Sequence, residues 1–507
     1  MEQFFTKYLK TVIDTETILY TGSVTSVKGL MIESLGPYSK IGELCTIKNS
    51  DGTNVTAEVV GFDKEKNAVN LMSYGETKGI MVGSEVVASA KELRVPVGSC
   101  LLGRVIDALG HPYDDKGPLE NDEFYPAVAP APNPYKRKEI NRRIVTGVRA
   151  IDSLLTCGKG QRIGIFAGSG VGKSTLLSMI ARNTNADINV IGLIGERGRE
   201  VMDFIQNDLG AEGMKRSVVV VATSDQSSIC RLRAAYTATA IAEYFRDLGK
   251  DVMLMMDSVT RFCHAQREIG TANGEPPTQS GYPASVWDML PKLLERSGTN
   301  EKGSITAFYT VLVDGDDLNE PVSDKVRGTL DGHIVLSRRL FKERHFPAID
   351  VTSSISRLWD DVTGVETQKA VNKVSRLISI YEENRDMINA GVYVRGNNPE
   401  IDEAIDKHSA IEALLTQQKT DHCTIENTLQ ILSAVAEIPI PESEYEEDVA
   451  HGKKTTAQIV REKKIDDVSS TNAFSTEILD DSTENSSLEQ TANAIKLMGG
   501  VSPQEKL

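Results

Sequence analysis

The hydrophobic and polar positions change period several times along the chain. In the first fifteen residues Phe4, Phe5, Tyr8, Leu9, Val12 and Ile13 recur at i, i+4 spacing. That predicts a helix over 1–18, packed on its own domain or docking a partner. From 19 to 93 the texture shifts to short β-branched runs, SVTSVKGLMIES, LCTIKNSDGTNVTAEVVGF, AVNLMSYG and SEVVASA, divided by the turn signals SDG and YG. Runs of that length and spacing predict a small β-barrel. GRVIDALGHPYDDKGPL and the proline-rich YPAVAPAPNPYKR then read as a linker into a larger unit spanning 94–364. Within it the apolar runs RIGIFA, INVIGLIG, SVVVVATS, DVMLMMD, SITAFYTVLV and HIVLS alternate with helical stretches such as SSICRLRAAYTATAIAEYFRDLG. Continuous apolar strands between helices predict βαβ units, an α/β fold with a parallel sheet covered on both faces. Residues 365–440 are helical in pattern throughout. The stretch 441–507, rich in Ser, Thr, Asp and Glu with few large apolar residues, predicts an acidic, disordered tail.

Composition narrows the choices. With 507 residues, 40% hydrophobic and 25% charged, the chain has the make-up of a soluble globular protein of several domains. Its six cysteines are scattered with no C-x-x-C pair, which predicts reduced thiols and a cytosolic setting. No signal pattern opens the sequence, and no apolar run approaches the roughly 18 residues of a membrane span. A net charge of −16 disfavours indiscriminate binding to nucleic acid.

Three strand ends carry the candidate chemistry. AGSGVGKST, residues 167–175, follows the strand RIGIFA and opens the helical run KSTLLSMIAR. Strand, glycine loop and helix together form a phosphate cradle. Ala167, Gly168, Ser169, Gly170, Val171, Gly172, Lys173, Ser174 and Thr175 make up the loop and helix start. Backbone N–H groups freed by the glycines turn toward anionic oxygens, Lys173 reaches the β- and γ-phosphates, and the Ser174 hydroxyl meets Mg²⁺. Ala167 stands where the strict pattern has Gly. The second strand leads into GERGRE, which sets Glu196 and Arg197 at the carboxyl edge of the sheet, where ligands of open α/β sheets lie. There a carboxylate can polarise an attacking water and an arginine can meet phosphate charge. DVMLMMDSVTR ends an apolar strand in Asp257, the pattern of a Mg²⁺-holding aspartate. For Arg261 just after it, a phosphate contact and a structural ion pair remain open.

These pieces together resemble the flagellar and type III secretion export ATPases, relatives of the rotary ATPase catalytic subunits, over about residues 20–440. FAGSGVGKST, GLIGERGREV, MDSVTRF with AQREIG, GEPPTQSGYPASV, GSITAFYTVLVDGDD, DGHIVLSRRL and HFPAIDVTSSISRL carry the likeness. It implies an N-terminal β-barrel, a RecA-like P-loop core and a C-terminal helical domain. It implies that Glu196 is the general base or water-orienting carboxylate and Arg197 its phosphate-contacting neighbour, with Lys173 on the phosphates of Mg·ATP and Ser174 and Asp257 at the metal. It makes Arg357, in SISR, an arginine finger reaching a neighbouring subunit, has Phe346 stack on adenine, and puts Tyr393 of AGVYVRG at the border of the base. It further implies a homohexamer in the cytoplasm, held peripherally at the inner face of the membrane. The expected partners are a stalk-like regulatory protein at the N-terminal helix, an export gate, chaperones and protein substrates, with no nucleic acid. Flagellum and injectisome both remain open, with the flagellum the commoner setting.

Three rivals make different demands. A rotary ATP synthase subunit would need a second chain to complete each site, and the wording of GERGREV and DGHIVLSR is against it. A hexameric RNA translocase would need a basic groove beside the barrel aromatics Tyr20, Tyr38, Phe62 and Tyr74, and none is evident. A non-enzymatic paralogue would have lost one of Lys173, Glu196, Asp257 or Arg357, and all four are present.

Overall fold

The computed structural model describes residues 18–121, 123–313, 315 and 317–447, and the counts below are of those residues. The expected helix over 1–18 and the stretch from 448 onward lie outside them, except for Ile18.

Six strands close the N-terminal barrel: β1 (Thr21–Lys28), β2 (Met31–Leu35), β3 (Glu43–Lys48), β4 (Asn54–Asp63), β5 (Ala68–Ser73) and β6 (Glu85–Glu92). Val24, Ile32, Ile47, Ala57, Val59, Leu71 and Val86 point inward and fill it. Alternation along each strand produces this, because successive side chains face opposite sides of the sheet.

The barrel is tied to the next domain through buried polar groups. Glu58 on β4 forms an ion pair with Arg233 and accepts a 2.5 Å hydrogen bond from the Tyr74 hydroxyl. Tyr74 is therefore committed to the junction and is no stacking platform for bases. Asn273 donates to the Val60 carbonyl at 2.9 Å and accepts from Asn70 at 2.9 Å. Removing one member of a buried ion pair strands the other in low dielectric. Glu58→Ala is accordingly expected to lower unfolding stability by about 3–5 kcal/mol, read as a shifted midpoint in urea denaturation.

The α/β domain is a nine-stranded sheet. Its main strands are β7 (Val105–Ile106), β8 (Arg162–Ala167), β9 (Ile188–Ile194), β10 (Ser217–Ala222), β11 (Asp251–Asp257), β12 (Ser304–Leu312), β13 (Gly332–Leu336) and β14 (Ile349–Ser356). They lie in the order β14-β13-β8-β12-β11-β9-β10-β7, parallel except for β14, which runs antiparallel to β13. The helices around it are α1 (Lys173–Asn183), α2 (Gly198–Asp203), α3 (Ser228–Asp247), α4 (Val259–Ala272), α5 (Ala284–Leu294) and α6 (Pro321–Thr329). Each face of the sheet has its own core. In β11, Val252, Leu254 and Met256 pack with α3 and α4, while Met253 and Met255 pack with α1 on the other side. Burial on both faces is why these strands read as unbroken apolar runs.

The second core continues into the C-terminal helices α7 (Val365–Asn389), α8 (Pro399–Leu415) and α9 (Ile425–Ala436). None of the described helices is long and apolar enough to cross a membrane.

Residues 441–447, expected to open the acidic tail, are instead folded back as a strap. The buried Glu444 carboxylate accepts from the backbone N–H groups of Glu366 and Thr367 and from the Thr367 hydroxyl, capping the first turn of α7. Its carbonyl accepts from the buried Arg143 guanidinium at 2.7 Å. Glu447 takes Lys159 at 2.8 Å, and its carbonyl accepts the Arg143 N–H. Composition marks a segment as polar; it does not reveal that buried cations and bare helix N–H groups lie within reach.

Candidate functional site

The carboxyl edge of the sheet gathers the three strand ends picked out in the sequence. The loop after β8 turns through Gly170 and Gly172, both with positive φ (78° and 95°), a region that disfavours side chains. Gly172 caps α1, so the helix begins at Lys173 with its free N–H groups directed at the loop. β11, separated from β8 by β12, ends in Asp257, and β9 beside it leads through Gly195 to Glu196.

Lys173 joins them. Its ammonium lies 2.5 Å from Asp257 and 3.5 Å from Glu196. Burial opposes its charge, but the two carboxylates outweigh burial and hold its pKa above the ordinary lysine value. Asp257 is buried, and its carboxylate also accepts a 2.8 Å hydrogen bond from Thr310 on β12. Glu196 behaves differently. Burial and the nearby Asp257 charge push its carboxyl up to about 7, with Lys173 pulling the other way. A carboxyl group titrating there is suited to accepting a proton near neutrality. Glu200 on α2 moves oppositely, its carboxyl held below the usual range despite partial burial by bonds to Glu196 and Arg197.

No group of three or more His, Cys, Asp or Glu side chains suited to a metal exists among the described residues. The oxygen donors here are the Asp257 carboxylate and the exposed Ser174 hydroxyl, next to the phosphate loop. That sparse, hard-oxygen set fits Mg²⁺, which keeps several waters and is commonly held by one or two protein groups plus phosphates.

Behind the loop lies a cavity of about 580 Å³, lined by Val171, Thr175, Phe341, Arg344, Phe346 and Gln417 among others. Phe346 is 37% exposed into it and meets Phe341 edge to face, ring centroids 5.4 Å apart. One wall is the loop between α8 and α9. It is locked down by Gln417, whose N–H donates to the Phe346 carbonyl at 2.7 Å and whose amide spans the Gly147 carbonyl and the Arg149 N–H. His345, next to Phe346, bonds Glu412 of α8 at 2.9 Å. Thr310, Phe341, Arg344 and Gln417 were missed from the sequence. The polar run TQQKTD gives no sign that it reaches the nucleotide domain.

Two expected residues have partners of their own. Arg197 is 79% exposed and pairs with Glu200 at 2.6 Å. Tyr393 does not line the cavity, because its segment folds onto the start of α8, where its hydroxyl bonds the Asn398 carbonyl and Asp402 at 3.0 Å each. The question left open for Arg261 narrows. It makes no ion pair among the described residues, its stem packs against Gly195, and its Nε is buried without a hydrogen-bond partner.

Arg357 is at the other end of the sheet. Because β14 is antiparallel, its last residues return to the amino edge, and the Arg357 N–H donates to the Asp331 carbonyl at 3.0 Å, just before β13. Five residue steps of β8 separate that edge from the phosphate loop, roughly 17 Å at the parallel-strand rise. The Arg357 side chain is exposed and makes no ion pair among the described residues.

Comparison with known proteins agrees with this layout. Residues 147–356 match the model of the nucleotide-binding domain of the ATP synthase alpha/beta family, and 24–89 match the beta-barrel domain of that family. Residues 363–434 match the C-terminal domain of the type III secretion ATPase EscN. A flagellum-specific ATP synthase of Treponema pallidum is 53% identical over 435 residues, 86% of this chain and 97% of that protein. A type 3 secretion system ATPase of Xanthomonas euvesicatoria is 49% identical over 82% of this chain and 94% of its own length. The solved structure of the assembled ATPase EscN from enteropathogenic E. coli superposes with a TM-score of 0.78 at 44% identity. The match covers 82% of this chain and all of the EscN chain. EscN in complex with its central stalk EscO gives 0.76 at 43% identity, with the same coverage.

Proposed function

The chain belongs to the ATP synthase alpha/beta family, in its flagellar and type III secretion branch, and from that premise we propose a cytoplasmic motor subunit that couples Mg·ATP hydrolysis to protein export. The chain is an ATPase. In the reading proposed here Lys173 holds the β- and γ-phosphates, Glu196 takes a proton from the attacking water, and Phe346 stacks on adenine. Ser174 and Asp257 hold the Mg²⁺ that arrives with the nucleotide, which supplies charge neutralisation on the phosphates. Arg197 pairs with Glu200, which is itself bonded to Glu196, and Tyr393 is bonded to the start of α8.

The observation that carries the reading is the division of one chain between two sheet edges. Glu196 and Lys173 stand at the carboxyl edge and Arg357 at the amino edge, too far to serve its own nucleotide. A ring of identical subunits solves this, each giving its arginine to the next, and supports a homohexamer with ATP at the subunit boundaries. The likeness to EscN bound to its stalk supports a stalk-like partner. By the same family reading the proteins acted on are export substrates and their chaperones, met at the export gate on the inner face of the membrane.

ATP hydrolysis by the purified chain over a wide concentration range tests this. Specific activity is expected to rise steeply as rings assemble. Activity near zero at every concentration would mean that a different chain completes the site, as in a rotary synthase.

A further inference from the structure

An exposed arginine acts as a finger only if its backbone is held still, and the seat of Arg357 can be traced. Its N–H is bonded to the Asp331 carbonyl, and that carbonyl also accepts a 3.1 Å bond from the side-chain amide of Gln161. The second N–H of the same amide donates to the Ser356 hydroxyl at 3.0 Å, and Ser356 in turn donates to the Thr156 carbonyl at 2.8 Å. The Gln161 carbonyl oxygen accepts the Gly158 N–H at 2.8 Å. Gln161 is fully buried. All three bonds are made in one amide orientation; the reverse would turn a carbonyl on a carbonyl and an NH₂ on an N–H. Around it the backbones are closely packed. A Cβ on Gly332, which pairs with Ser356, would come within 2.6 Å of the Ile355 carbonyl. The Asp331 carboxylate is held as well, by the Arg162 backbone and guanidinium at 2.9–3.1 Å.

We propose that Gln161 is a positioning residue for the arginine finger. It clamps Asp331, just before β13, and Ser356, the last residue of β14, and so fixes where Arg357 leaves the sheet. Gln161 also immediately precedes β8, the strand that ends at the phosphate loop. β8 thereby serves two sites at once, with the finger offered to a neighbour anchored at its start and its own nucleotide loop at its end. This rests on the reading of Arg357 as a finger acting in a neighbouring subunit.

The test is Gln161→Met, which keeps the length and apolar fill of the side chain and removes its three bonds. In the assembled protein kcat is expected to fall about 10²-fold, the scale of an ångström-sized misplacement of a catalytic group, with KM for ATP unchanged. Mixed rings then separate finger from loop. Combined with Lys173→Ala chains, which bring an intact Arg357 but no working loop, Gln161→Met is expected to regain activity. Combined with Arg357→Ala chains, it is expected to regain none.

The opposite pattern, recovery with Arg357→Ala and none with Lys173→Ala, would assign Gln161 to its own phosphate loop and overturn the proposal. So would unchanged turnover. If Gln161→Met does not fold, Ser356→Ala, which removes one of the three contacts, is expected to show the same mixing pattern with a smaller loss. Failure of that variant to do so overturns the proposal too. A control mixture of Arg357→Ala with Lys173→Ala must recover. If it stays inactive the finger reading itself fails, whereas recovery there without recovery for Gln161→Met rejects only the role of Gln161.

Discussion

Arg357→Ala is expected to lower kcat by about 10³- to 10⁵-fold, the range observed when an arginine finger is supplied or withheld. The binding of ATP should hardly change. The side chain is exposed and makes no ion pair among the described residues, so its loss opens no cavity and strands no buried charge. An exposed substitution of that kind moves stability by less than about 0.5 kcal/mol. Nor does it reach the nucleotide of its own chain, because β14 carries it to the amino edge of the sheet. The expected signature is therefore a fall in turnover with nucleotide affinity intact, measured by steady-state hydrolysis beside equilibrium binding of a fluorescent ATP analogue. Turnover and affinity falling in proportion would show that Arg357 acts on ground-state binding instead.

Glu196→Gln is expected to reduce hydrolysis by about 10²- to 10⁴-fold, the usual contribution of a positioned general base, again with ATP binding retained. The substitution keeps the shape of the side chain. It also removes one of two carboxylates that crowd Lys173, so the fold should not suffer. The wild-type protein carries a further signature. With the Glu196 carboxyl titrating at about 7, the base is progressively protonated as pH falls through neutrality. The ratio kcat/KM, which reports ionisation in the free enzyme, should decline on the acid side of about pH 7. In Glu196→Gln that acid limb should be missing. A variant that retains both its turnover and the limb would remove Glu196 from the chemistry.

Much of this was legible in the sequence because the signals are local. Short β-branched runs divided by turn signals foretold the barrel, and unbroken apolar runs foretold a sheet buried on both faces. Glycines 170 and 172 announced a backbone that side chains would obstruct. Glu196 and Asp257 were visible because each ends an apolar run, and strand ends are where a parallel sheet presents its ligands. What stayed hidden depends on contacts across long stretches of chain. Nothing near TQQKTD says that Gln417 will hold the backbone of Phe346, and nothing near Thr310 says that it will face Asp257. The reversal of β14 is likewise invisible in HFPAIDVTSSISRL, yet it alone sends Arg357 to the edge opposite the phosphate loop. Tyr393 was assigned by likeness, and its segment bonds to the neighbouring helix instead.

The strap at 441–447 decides where the chain can safely be joined to something else. A reporter or affinity handle attached after Ala436, at the end of α9, would discard the carboxylate that caps α7, the acceptors of Arg143 and one of the two carboxylates paired with Lys159, leaving it Asp251. Arg143 already has two guanidinium nitrogens buried without partners, and losing the Glu444 carbonyl would remove the hydrogen bond made by its third. A junction after Glu447 keeps every one of those bonds. For fusions and shortened versions alike, the working boundary is set by two glutamates beyond α9.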